Sequence, residues 1–178
     1  MTIPQGFLEA LPSPQRVADL SEEADIFGFL IGSWELDALL HEVDGTTRRT
    51  KGELHACWVL EGRAIQDLFI FPRRTDRSVG TPARGDRYAT TIRTYDRGLN
   101  AWRVTFINPA DDQTSARLTA RRRGQEIAME GELADGTPIR WGYQAITAHS
   151  FHYSAERLQD DGRSWRLYLE LFGKRSSL

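Results

Sequence analysis

The sequence predicts an all-β fold: a ten-stranded antiparallel up-and-down barrel with a short N-terminal helix. Three observations predict it. Five turns, Asp44-Gly45, Arg97-Gly98, Arg123-Gly124, Asp135-Gly136 and Asp161-Gly162, each separate two segments rich in β-branched or aromatic residues. These segments recur at even spacing from Ser33 to the C-terminal region, without the long crossings that a Greek key needs. At 178 residues the chain is one domain in length, so ten consecutive strands belong to one sheet. A sheet that long curls, and closure removes its exposed edges.

Composition narrows the function classes. A formal net charge of −2 provides no global field to recruit nucleic acid or an anionic membrane. No uncharged apolar run approaches the roughly 18 residues that a membrane span needs. Residues 1–20 have neither a basic start nor a continuous apolar stretch, so no signal peptide is expected. Cys57 is the only cysteine, which excludes an internal disulfide and a multi-cysteine metal site. A cytoplasmic protein is expected.

In chain order, residues 1–20 hold Pro4, Pro12 and Pro14 without a sustained period. They read as an arm lying on the surface or reaching towards a neighbour, and residues 21–178 as a single barrel domain. The segment SEEADIFGFLIG predicts the helix, over 21–31. Ser21 is its N-cap, Glu22 and Glu23 suit the first turn, Phe27, Leu30 and Ile31 share one face, and Gly32 stops it. The predicted strands are 33–43, 46–60, 62–71, 87–96, 101–108, 113–122, 125–134, 137–147, 150–158 and 163–173. Residues 72–86, with two prolines, two glycines and several arginines, form a long loop.

Gly32 can leave the helical conformation without steric cost and lets Trp34 approach closely. Trp34 opens the first long strand with Leu36, Ala38 and Leu40 on its side of the pleat, so the indole plugs one barrel end. This Gly-x-Trp after a helical patch resembles the mark of the calycin superfamily, the lipocalins and fatty-acid-binding proteins. The resemblance implies that Lys174 or Arg175 packs across the indole. The start Phe29-Leu30-x-Gly32-x-Trp34 more closely resembles a group of bacterial lipocalin-like proteins of unknown function. WVLEGRAIQDLF (Trp58 to Phe69), TTIRTYD (Thr90 to Asp96) and SWRLYLE (Ser164 to Glu170) are similar too. More distantly it resembles the nitrobindin-like haem barrels, which would make His149 or His152 a haem ligand. Their glycine-rich continuation is replaced here by Glu35-Leu36-Asp37.

Alternation sorts candidate site residues by face. Arg63, Ile65, Asp67, Phe69 and Phe71 share one side of their strand, as do Ala89, Thr91, Arg93 and Tyr95 of the next. Trp102, Val104, Phe106 and Asn108 align, as do Ile139, Trp141 and Tyr143. The last strand sets Arg166, Tyr168, Glu170 and Phe172 against Trp165, Leu167, Leu169 and Leu171, and either face can look inward. If the leucines look outward they form a patch that predicts a homodimer.

With the mixed faces inward, Trp58, Arg63, Asp67, Arg93, Trp102, Trp141, Tyr143, Tyr168 and Glu170 line a ligand pocket. Aromatic walls with a few convergent polar groups suit a small, mainly apolar or aromatic molecule, anchored through Arg63 or Arg93. Binding without a cofactor or metal is the leading expectation, ahead of catalysis. Three alternatives stand beside it: an isomerase or cyclase using Asp67 or Glu170 as general acid or base, a haem barrel, and a structural module whose barrel is filled by its own side chains.

Overall fold

In a computed structural model the described residues are 4–77, 86–109 and 115–176. The elements are α1 (Gln5–Ala10), β1 (Pro12–Ser13), β2 (Gly32–His41), β3 (Thr47–Val59), β4 (Ala64–Phe71), β5 (Arg87–Asp96) and β6 (Ala101–Ile107), then β7 (Ala116–Arg123), β8 (Glu126–Leu133), β9 (Pro138–Gln144), β10 (Ser150–Leu158) and β11 (Trp165–Arg175). From β2 onward each strand pairs antiparallel with the next, and β11 returns to pair with β2, from Leu169↔Leu40 to Arg175↔Trp34. Ten strands thus close into an up-and-down barrel, and every predicted strand has its counterpart. β1 is an eleventh, two-residue strand lying against the end of β3, with Pro12 opposite Val59 and Ser13 opposite Trp58. No described helix is long and apolar enough to cross a membrane.

Four of the five predicted turns place their glycine at positive φ (Gly45, Gly124, Gly136, Gly162). At the fifth, Asn100 rather than Gly98 takes the left-handed conformation. Loop 72–86 begins with a 3₁₀ turn at Arg74–Asp76, and residues 78–85 lie outside the described residues.

The predicted helix is displaced. Residues 21–31 hold only a first turn, with the Ala24 amide donating to the Ser21 hydroxyl at 3.2 Å, and a 3₁₀ turn over Gly28–Leu30. An α-helix would present one face to the barrel. Here Ile26, Phe27 and Leu30 are all buried, because the segment follows the barrel rim and drops each apolar side chain into the open end. The α-helix is instead α1, within the predicted arm. Its six residues are too few to show a period, and its Phe7 and Leu8 are exposed.

Trp34 is the plug, with no exposed surface. Its indole donates to the Leu30 carbonyl at 2.8 Å, and Phe151 packs edge-on at 4.9 Å. Arg175, not Lys174, crosses the ring, its guanidinium 4.2 Å from the centroid. That guanidinium donates to the carbonyls of Phe29, Ile31 and Ala148 at 2.7–2.8 Å. Gly32 has φ +120, and a Cβ there would lie 2.7 Å from the Arg175 guanidinium, so glycine is required on both counts. One cation on the last strand therefore ties the rim segment to the connection between β9 and β10.

Two predictions follow from these contacts. Arg175→Met loses three charge-assisted hydrogen bonds and a cation–π contact, and costs about 2–4 kcal/mol in urea unfolding, with a lower midpoint at unchanged slope. Glu53, held by Arg74 at 2.8 Å, has its pKa lowered to about 2 from 4.5, chiefly by the Arg74 hydrogen bond. This depressed carboxylate contributes its stability fully above pH 4.5 and loses it as pH falls towards 2. Acid unfolding followed between those values is accordingly shallower in Glu53→Gln.

Candidate functional site

The inward residues of β4 are Ile65, Asp67, Phe69 and Phe71, and those of β5 are Arg87, Ala89, Thr91 and Arg93. Pairing of Asp67 with Thr91 and of Ile65 with Arg93 puts carboxylate and guanidinium on a diagonal of the same face. They meet at 2.5 Å, with side chains 1% and 4% exposed. The second Asp67 oxygen accepts the Thr91 amide at 3.2 Å. Arg93 lies 5.1 Å over the Phe27 ring and reaches Tyr143 Oη at 3.5 Å, but its Nε has no partner among the described residues. Burial opposes the arginine's charge, yet Asp67 and Tyr143 together hold its pKa above the usual value.

Next to this pair lies a cavity of about 40 Å³, lined by Trp141, Tyr143, Tyr153, Tyr168, Phe106 and Met129 among others, and running from Arg93 to Arg87. At about 10–15 Å³ per water, it has room for a few. Trp141 Nε1 donates to Tyr168 Oη at 2.7 Å, which leaves the Tyr168 proton free to be donated. Burial pushes the Tyr143 hydroxyl up to about 12 and those of Tyr153 and Tyr168 up as well, so all three are neutral donors near pH 7. The site is an aromatic box with one ion pair at its floor. It can bind an apolar body and satisfy an acceptor.

Of the sequence-predicted residues, Asp67, Arg93, Trp141, Tyr143 and Tyr168 come together around the cavity. Trp58 and Trp102 face inward but belong to the plugged end. Their rings lie 6.4 Å apart, and Trp102 donates to the Ala24 carbonyl at 2.7 Å. Arg63 does not enter the lumen. It sits on the exposed turn before β4, paired with Glu61, because the strand begins one residue later. Glu170 is on the outer face, bridging His41 at 2.9 Å and His152 at 3.0 Å, so it cannot act with Asp67 in one acid–base pair. His149 is exposed, and His152 stacks on Phe172 outside the barrel at 4.6 Å. The residues present do not fit a haem ligated from within the lumen, and no described cluster of His, Cys, Asp or Glu could hold a metal.

The last strand uses both of its faces. Ala155 pairs with Leu169 but Glu156 with Leu167, so Tyr168 is the extra residue of a β-bulge. On the far side of the bulge Leu169 and Leu171 point inward and are buried, whereas on the near side the half-buried Arg166 and Tyr168 take the inward face. The outward leucine patch behind the homodimer expectation is thereby divided. The sequence reading missed Tyr153, which the alternation Phe151, Tyr153, Ala155 could have revealed, and Arg87, which shares its face with Arg93.

Comparison with solved structures supports the architecture. Rv2717c from M. tuberculosis superposes with a TM-score of 0.55 at 16% identity, over 89% of this chain and 100% of that one. The S-type phycobiliprotein lyase CPES from Guillardia theta gives 0.52 at 9% identity, over 83% of this chain and 89% of that one. Both likenesses support the closed ten-stranded antiparallel barrel. At these identities the likeness extends to the fold alone. No family model matches the sequence, and no curated protein matches it significantly.

Breaking the buried pair is expected to be costly. Asp67→Asn strands the Arg93 charge and destabilises by about 3–5 kcal/mol, and the double variant Asp67→Leu/Arg93→Met recovers most of that loss. A denaturant double-mutant cycle measures both.

Proposed function

We propose that the barrel binds a small, mainly apolar or aromatic molecule, with Arg93 anchoring a carbonyl or anionic group. The observation that carries this reading is the Nε of a nearly buried arginine left without a partner beside an aromatic cavity. Aliphatic side chains could fill that space without the cost of desolvating an ion pair. Three tyrosine hydroxyls and the indole of Trp141 add the convergent polar groups typical of a ligand site. The likeness to a phycobiliprotein lyase is compatible with a barrel that handles a small molecule.

The cavity size limits the ligand. At about 40 Å³ the cavity takes a single aromatic ring only if lining side chains give way. Native mass spectrometry of protein purified from its own host tests the reading. A non-covalent mass is expected on the wild type and is lost in Val104→Trp, which fills the cavity from its wall. A wild-type barrel that carries no added mass, and whose tryptophan fluorescence is unmoved by benzyl alcohol, sinks the reading.

A further inference from the structure

We infer that the unplugged end of the barrel is an anion-recognition site built by Arg157 and Arg166, so that the ligand is an aromatic or short-chain organic monoanion with its charge at the mouth and its apolar body in the lumen. This rests on the ligand-binding reading and narrows it: the charged group of the ligand goes to the mouth, and Arg93, already neutralised by Asp67, is left a neutral acceptor such as a carbonyl.

Arg157 pairs directly across the strands with Arg166 and, on its other side, with Ile139, which is buried inside the barrel. Residues directly opposite in an antiparallel ladder share a face, so both guanidinium-bearing side chains stand on the lumen side. Like charges directly opposite are destabilising. No carboxylate lies within ion-pairing distance of either among the described residues. Glu42 lends Arg166 some negative field, and Asp135 stands near Arg157, but neither closes a salt bridge. Arg166 Nη1 donates to the His41 carbonyl at 2.8 Å, while its Nε is buried and has no hydrogen-bond partner among the described residues. Burial lowers the Arg166 pKa, and the Arg157 charge lowers it further, the signature of a cation that lacks its counter-ion.

The bulge ties this pair to the cavity. It turns Tyr168 inward just past Arg166, and Tyr168 lines the lumen together with Arg87. The positive field of Arg87, Arg157 and Arg166 reaches the Tyr168 hydroxyl, whose proton is not committed to Trp141. Arg87 itself donates to the Asp86 carbonyl at 3.1 Å and lies over the Phe71 ring, so it contributes field and is not the open ligand. A carboxylate set between Arg157, Arg166 and the Tyr168 hydroxyl relieves the like-charge pair, gives Arg166 Nε an acceptor and leaves its organic body pointing at the aromatic box. A neutral alcohol of the same shape gains only the last of these. The anion therefore binds more tightly.

Calorimetric titration with benzoate and with benzyl alcohol, which match in ring and differ in charge, tests this. The wild type is expected to favour benzoate by ~10-fold or more at low salt. Arg157→Gln, which removes no hydrogen bond to the described protein, is expected to abolish most of that preference and leave benzyl alcohol affinity unchanged within about twofold. Its melting temperature without added anion should equal or exceed the wild-type value, since it relieves the repulsion. Arg166→Gln repeats the test from the other side of the pair. Equal wild-type affinities, or a preference that survives in Arg157→Gln, overturn the anion site while the ligand-binding reading stands. Binding of neither compound overturns both.

Discussion

Closure of the sheet is the constraint on which the structure depends. The ladder between β11 and β2 gives the last strand a partner and removes both edges at once, but it also creates a hollow with two open ends. One end is sealed at high cost in specificity. Gly32 lets the chain turn, Trp34 fills the lumen, and Arg175 bonds three carbonyls while lying over the indole. The rim segment then adds Phe27 and Leu30, neither with any exposed surface. Nothing comparable covers the other end among the described residues, where Arg87, Arg157 and Arg166 stand. This asymmetry gives the barrel a floor and a mouth.

Charge is distributed along the same axis. Near the floor, Asp67 neutralises Arg93, so the deepest part of the lumen is polar but carries no net charge. At the mouth, Arg157 and Arg166 oppose each other, and among the described residues no carboxylate pairs with either. Walls of Trp141, Tyr143 and Tyr153 separate the two. An apolar body with one charged end matches such a gradient, and only in one orientation. Desolvating the floor pair does not favour folding in itself, since an apolar replacement would serve the core as well.

The β-bulge at Tyr168 joins these two regions. Alternation without it would force a choice between the face bearing Arg166, Tyr168, Glu170 and Phe172 and the face bearing Leu167, Leu169 and Leu171. With one residue left over, the strand presents leucines to the deep lumen and Arg166 with Tyr168 to the mouth. Glu170 is then carried outside to His41 and His152, which explains why a residue two positions from a cavity tyrosine takes no part in the cavity.

Much of this was legible in the chain. The alternation of apolar and polar residues, a period-two signal that each strand carries by itself, determined all ten strands and which residues of each share a face, but not which face looks inward. The glycine turns determined their order, and Gly32-x-Trp34 determined the sealed end. Tertiary structure alone decided the rest. Residues 21–31 have helical spacing, but a rim demands that Ile26, Phe27 and Leu30 all point down, so packing overrode local preference. Arg63 has the parity of an inward residue but lies beyond the point where β4 begins to pair, and parity means nothing outside a ladder. The bulge is a property of two strands in register, since only the pairing of Ala155 with Leu169 and Glu156 with Leu167 leaves Tyr168 unmatched. Periodicity belongs to one strand, whereas register, bulges and ion pairs belong to two.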